Sequence, residues 1–342
     1  MTTLSEYKYL GNDQETRMGV AKTAVMVSPW LRDLPFQELA NNNISRYKME
    51  TSDGGATVHT VSDNWTTVNP TWEYREAALA ILGDNVNVDN FGEFAAGKEN
   101  VWAAVLELKS KGIAQTFDKL AVYGRTTSTG ELSNSANFKG LLRLIAEAES
   151  DSTTDLDGWI YTGNNSAAHN AQAVFAASGA SAALSIAMLD ALLDAVRPKA
   201  THLVMSRLMR RKVKSLAEAS GSNLEYGKSE LGFPVTKYGE QTLFIDDQIK
   251  DNLSDSTVLV TAIASYDYTQ AIAAAKDTSP VFAVRFAEDG LCGINGKGMI
   301  QTVDLGELEG ADAKGKRIKF YCGMRLTNKT AAAVLLNANY SG

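Results

Sequence analysis

Three histidines, two cysteines and a lysine in a glycine-bounded loop, Lys228, are the residues of this chain whose types suggest chemistry. His59 lies in a run of Thr and Ser, His169 beside asparagines, and His202 at the start of an apolar run. A hydrolytic metal centre needs imidazole or carboxylate donors at spacings that put them on one face, and neither His-Glu-x-x-His nor a Cys cluster occurs. There is no Gly-x-Ser-x-Gly elbow to raise a serine nucleophile, and a triad drawn from scattered Ser, His and Asp has no spacing behind it. Asp151, Asp155, Asp157, Asp246 and Asp247 lack the order of a calcium loop. The sequence therefore predicts no catalytic, cofactor-binding or metal-ligating residue, and no enzyme.

One near miss is Gly221-Ser222-Asn223-Leu224-Glu225-Tyr226-Gly227-Lys228-Ser229, which has the look of a phosphate loop. Such a loop follows a strand and opens a helix, so that its amides converge on phosphate. Here five residues part the glycines where four are needed, and Gly232 and Pro234 follow. A loop after a helix is the plainer reading. An α/β nucleotide-binding enzyme centred on residues 150–275 is the alternative it leaves.

A second cluster, Arg207, Arg210, Arg211, Lys212 and Lys214, sits on a predicted helix whose opposite face holds Met209, Val213 and Leu216. Nucleic-acid contact would want interleaved aromatics and a basic chain. The chain carries a net charge of −7 instead. A solvated face, or ion pairing between subunits, accounts for these cations better. Cys292 and Cys322 each stand beside a glycine in a strand-like run, which suits buried free thiols, although spacing alone leaves a disulfide open. With 44% hydrophobic and 21% charged residues the composition is that of a globular protein. No secretory signal opens the chain and no window approaches the roughly 20 apolar residues of a membrane span, so a cytosolic, membrane-free protein is expected.

The elements that would position these residues form an unusual order. Residues 1–40 have short apolar patches without period and read as an extended arm ordered by docking elsewhere. Ile44–Glu50 and Ala56–Trp72 alternate as strands around the Ser52-Asp53-Gly54-Gly55 turn, with polar residues on both faces. Such a hairpin buries too little to hold itself and is expected to lie on another molecule. Trp65 and Trp72 upon it are natural anchors. After a link at Gly83-Asp84-Asn85, apolar spacing predicts a long helix over about 91–121, then an apolar run at Phe138–Leu142. Residues 150–275 read as an α/β unit: a helix capped by Ser181 and stopped by Pro198, a strand at His202–Met205, a helix capped by Ser206 and ending at Ser220, and strands at Thr242–Ile245 and Thr257–Ala264. Strands are predicted again at Phe282–Phe286, Met299–Val303, Arg317–Arg325 and Ala331–Leu336.

This order resembles the major capsid protein of tailed double-stranded-DNA phages, an α+β architecture known as the Hong Kong 97-type fold. The local likenesses are Phe117-Asp118-Lys119-Leu120-Ala121-Val122-Tyr123-Gly124, Phe138-Lys139-Gly140-Leu141-Leu142, Gly232-Phe233-Pro234-Val235, Phe286-Ala287-Glu288-Asp289-Gly290, Phe320-Tyr321-Cys322-Gly323-Met324 and Lys329-Thr330-Ala331-Ala332-Ala333-Val334-Leu335-Leu336. The resemblance implies an N-arm at 1–40 and an E-loop at 41–82. It implies a P-domain with spine helix at 83–149, an A-domain at 150–280, return strands at 281–325, and a closing strand within 326–342. It further implies pentamers and hexamers of this chain enclosing DNA without sequence-specific contact, in a virion assembled in the host cytoplasm. A portal and decoration proteins are the implied companions. With Met1 only about 90 residues before the spine helix, any scaffolding is expected to be a separate protein. Trp65, Trp72, Lys48, Arg207, Arg210, Arg211 and Lys214 are the candidate subunit-interface residues; Lys48 would also be the donor if a Lys–Asn cross-link formed. An encapsulin-like compartment shares the fold and is the alternative within this class.

Overall fold

The computed structural model describes residues 2–3, 15–39, 43–52, 56–65, 67, 69, 71–95, 101–124, 138–149, 172–176, 181–220, 225–228, 234–249, 251 and 277–341. The first half runs β1 (Thr2–Thr3), α1 (Glu15–Val27), α2 (Pro29–Asp33), β2 (Pro35–Leu39), β3 (Ile44–Ser52), β4 (Thr71–Ala78), β5 (Ala80–Asp89), α3 (Asn90–Ala95), α4 (Val101–Tyr123) and α5 (Leu141–Glu149). The second half runs β6 (Ala173–Phe175), β7 (Ala182–Ala183), α6 (Ile186–Asp194), β8 (His202–Met205), α7 (Arg207–Ala219), β9 (Glu225–Lys228), β10 (Pro234–Tyr238), β11 (Gln241–Ile245), β12 (Val281–Val284), β13 (Leu291–Glu307), β14 (Ala313–Leu326), β15 (Ala332–Leu336) and β16 (Ala338–Asn339).

Two sheets organise the molecule. The first has the order β1-β2-β13-β14-β5, with the long β13–β14 ribbon antiparallel and β2 parallel to β13. The 23-residue helix α4 packs along β5 and against α1. Beneath it Phe117 gathers Phe320 at 5.5 Å, Phe138 at 5.9 Å and Phe36 at 6.3 Å between ring centroids, tilted or edge-on as the aromatic quadrupole favours. The second sheet has the order β6-β15-β12-β8-β11-β10-β9 and joins distant parts of the chain. Its one face, with Leu203, Met205 and Leu335, packs on Leu189 and Leu192 of α6 and Met209 and Val213 of α7. Its other face, with Val204, Phe244, Phe282 and Val334, belongs to the same core as Phe117. All five residues of β15 are buried, as befits a strand covered on both sides.

Several expectations hold. Ser206 caps α7, its Oγ accepting from the amide of Met209 at 3.3 Å, and the helix gives out at Ser220. Cys292 and Cys322 are buried free thiols, and the ladder sets Cys292 opposite Arg325 and Cys322 opposite Asn295. The predicted long helix appears as α3 and α4, with 96–100 outside the described residues. The strand expected at Thr257–Ala264 lies outside them too. The strands expected at Met299–Val303 and Arg317–Arg325 are segments of the much longer β13 and β14.

Others need correction. Over residues 15–39 the N-terminal segment is not an extended arm: α1, α2 and β2 are built into the chain's own core, where Trp30, Leu31, Leu34 and Phe36 are almost wholly buried. Ser28 caps α2 and Pro29 takes its first position, where a missing amide hydrogen costs nothing, and this start signal stood in the sequence. The link at Gly83-Asp84-Asn85 is instead the middle of β5, which runs unbroken against β14. Gly83 is a close-approach glycine, since a Cβ there would sit 2.2 Å from the carbonyl oxygen of Ile318. Ser185, not Ser181, caps α6, which ends at Asp194, before Pro198. The second arm of the hairpin is β4, so residues 56–65, expected as strand, are irregular.

Candidate subunit interface

The β3–β4 pair puts its odd-numbered residues inward. Ser45, Met49, Arg75 and Ala77 are buried there, which corrects the expectation that the hairpin has nothing of its own to pack against. Ser45 Oγ accepts from Arg325 Nη1 of β14 at 3.2 Å, and Arg75 Nη2 donates to Glu73 at 2.6 Å. The polar types of Ser45 and Arg75 hid this face from a pattern based on apolar alternation.

The outward face is a ladder of charge and aromatic rings. Arg46 Nε donates to Glu76 at 2.7 Å. Lys48 Nζ stands 5.0 Å from the ring centre of Trp72 and 5.6 Å from that of Tyr74, within reach of a cation–π attraction. Trp72 remains 49% exposed and Tyr74 70%. Beyond the strands, the Trp65 ring lies 4.4 Å from that of His59, itself 2.8 Å from Thr57 Oγ1, and is 84% exposed. Asp63 accepts from the Thr60 amide and hydroxyl, bonds that hold its carboxyl below the usual range, while Ser62 turns through φ 74°. Val58 and Val61 are fully open to solvent.

Lys48 and Trp72 thus share one face, with Tyr74 as a member that sequence reading missed, and Trp65 crowns the segment beyond. The α7 cations sit apart from them on the seven-stranded layer. Arg207 pairs with Asp247, Lys214 lies 3.6 Å from Glu218, and Arg210 and Arg211 are exposed. Glu225–Lys228 forms strand β9 with β10 as partner, so Lys228 opens no helix and the phosphate-loop reading fails. His202 is a packing residue: burial drives its pKa down to about 4, and its ring stacks on Phe286 at 4.4 Å. Among the described residues no group of His, Cys, Asp or Glu could hold a metal, and no helix is long and apolar enough to cross a membrane.

Sequence reading also missed a polar junction between the layers. Asp118 falls on the buried stripe of α4 with Ala114, Phe117 and Ala121, and a carboxylate in that phase was the available signal. Ser28 Oγ donates to Asp118 while accepting from the Leu31 amide. Trp30 Nε1 donates to Asp246 at 2.7 Å, and the amide of Gln248 donates to its other oxygen at 2.8 Å. Burial raises Asp118 to about 8, with the Asp246 charge adding to it. Burial likewise raises Asp246 to about 6, against the pull of the Gln248 and Trp30 bonds. Both carboxyls line a cleft of about 470 Å³.

The sequence matches no family model and no curated protein. Its shape has counterparts along nearly its whole length. The holo-SrpI encapsulin complex of Synechococcus elongatus is similar over 99% of this chain and 96% of its own, at 14% identity and a TM-score of 0.60. The capsid of the empty GTA particle is similar over 96% and 92%, at 10% identity and a TM-score of 0.60. A structure from Mycobacterium phage Bobi is similar over 90% of both chains, at 12% identity and a TM-score of 0.54. The chain has the Hong Kong 97-type fold, as these structures do.

Proposed function

We propose that the chain is the major capsid protein of a tailed double-stranded-DNA phage, assembling through pentamers and hexamers into an icosahedral head. The observation that carries this reading is the correspondence along nearly the entire chain with an encapsulin, a GTA particle capsid and a phage structure. The β3–β4 hairpin with its irregular extension takes the part of the E-loop. The five-stranded layer with α4 takes that of the P-domain, and the seven-stranded layer that of the A-domain. Lys48, Trp65 and Trp72 then lie over a neighbouring copy, while Arg207, Arg210, Arg211 and Lys214 serve contacts between copies. The net charge of −7 suits an inner wall along which DNA slides without adhering. A scaffolding protein, a portal and decoration proteins are the companions of such a subunit, and assembly in the host cytoplasm follows.

Electron microscopy of the chain expressed alone tests the reading. Closed shells, tubes or capsomer rings that vanish when residues 50–66 are deleted support it. A monomer that stays monomeric with scaffold or phage lysate present overturns it.

The encapsulin likeness, which spans 99% of the chain, favours a second reading as a compartment shell. Particles purified from the native source decide between the two: packaged double-stranded DNA supports the head, and a co-purifying protein cargo supports the compartment.

A further inference from the structure

Besides their shared apolar core, the two layers are bridged by one short polar segment. Ser28 ties α2 to Asp118 on the long helix, and two residues later Trp30 ties α2 to Asp246 at the exit of β11. Both carboxylates are at most 3% exposed, and both line the same cleft. A structural pairing of this kind ordinarily sets a cation between two acids. Here the two cations at the cleft stand on α7, and Arg207 is already engaged with Asp247 at the surface. The remaining facing groups are Gln115 of α4, Arg210 of α7, and Asp247 and Gln248 beyond β11. Two like charges that are both buried repel more strongly than in water, because they are screened less.

We propose that the Asp118–Asp246 cleft is a proton-operated clamp between the α4 layer and the seven-stranded layer. It is closed while at least one carboxyl keeps its proton and loosened when both are ionised. The step is an acid dissociation: each O–H gives its proton to solvent, each carboxylate keeps the electron pair, and no other reactant takes part. Asp246 ionises first, steadied by Trp30 and Gln248, while Asp118 has the single Ser28 hydroxyl and releases its proton later. Both groups hold protons more tightly folded than unfolded. The folded state therefore binds the excess protons between the ordinary carboxylate range and about pH 8. The clamp favours folding most at the acid end of that window, and the benefit is lost as pH rises through it.

Hydrogen–deuterium exchange of the full chain, corrected for intrinsic rates and compared at about pH 5 and about pH 8.5, tests the clamp. Peptides spanning 24–31, 113–121 and 243–249 are expected to lose roughly tenfold protection at the higher pH, while 332–336 does not change. Asp118→Asn and Asp246→Asn, which stay neutral, should abolish that difference. Protection that is independent of pH in the unsubstituted chain overturns the proposal, as does an unchanged pH response in both variants. Should the variants fail to fold, infrared spectra of the unsubstituted chain carrying isotope-labelled aspartate decide the matter. A protonated aspartic acid band at neutral pH that disappears on alkalinisation supports the clamp, and its absence overturns it. These readouts concern a joint within one subunit, so they stand or fall separately from shell formation.

Discussion

Strands β15 and β3 are opposite in what holds them. Every residue of β15 is buried between two cores, while β3 buries Ser45 and Met49 and leaves Ile44, Arg46 and Lys48 outside. The first strand is fixed by its own chain. The second has one committed face and one face that its own chain leaves open. A sheet covered on both sides tolerates no period, whereas a half-covered one must alternate, and a polar residue may take an inward place if it finds a partner there. The contrast separates what stabilises the subunit from what the subunit offers to others.

Substitutions can break this contrast. The largest effect is expected at Phe117, whose ring is wholly buried: Phe117→Ala should cost about 3–5 kcal/mol in denaturant unfolding. Trp72→Ala should leave unfolding of the isolated subunit within about 1 kcal/mol yet reduce the assembled fraction seen by size-exclusion chromatography. Equal costs at the two positions would refute the division. Next comes Gly83→Ala, where the added Cβ meets backbone that cannot step aside, and a loss of about 1–3 kcal/mol is expected. Ser206→Ala should lower thermal stability by about 1 kcal/mol through the lost helix cap. Gly112→Ala, at a point of α4 with open space around it, should raise stability by about 1 kcal/mol. The smallest effect is expected for Lys48→Ala, about 0.5 kcal/mol on the isolated subunit, with its consequence again in assembly.

What the sequence disclosed follows the same line. Local signals sufficed where a strand or helix is held by short-range chemistry: the Ser206 cap, the stripe of Met209 and Val213, and the apolar run of β8 were all readable. The order of elements gave the architecture, because nearly the whole chain takes part in it. Helix α1 was not legible, because it carries a weak apolar face and owes its place to α4, far along the chain. Gly83 read as a turn residue because the reason for its small size lies in Ile318 of another strand. At the candidate interface, Trp65 and Trp72 declared themselves as aromatics without a core. Tyr74 did not, since only the register with Lys48 reveals its part. The Asp118–Asp246 cleft joins residues 128 positions apart, and no local pattern can announce such a meeting.

The β13–β14 ribbon has a further consequence. Strand β14 is bonded to β13 on one edge and to β5 on the other, from Ala313 as far as Cys322. A pull along its axis is therefore carried as shear, with many rungs resisting together, where a peeling force would part them one at a time. The register breaks between Asn295 and Ile300 and between Asp304 and Gly306 interrupt only one of those edges. Each such break bends and twists the ribbon locally, so its curvature is set at two fixed places.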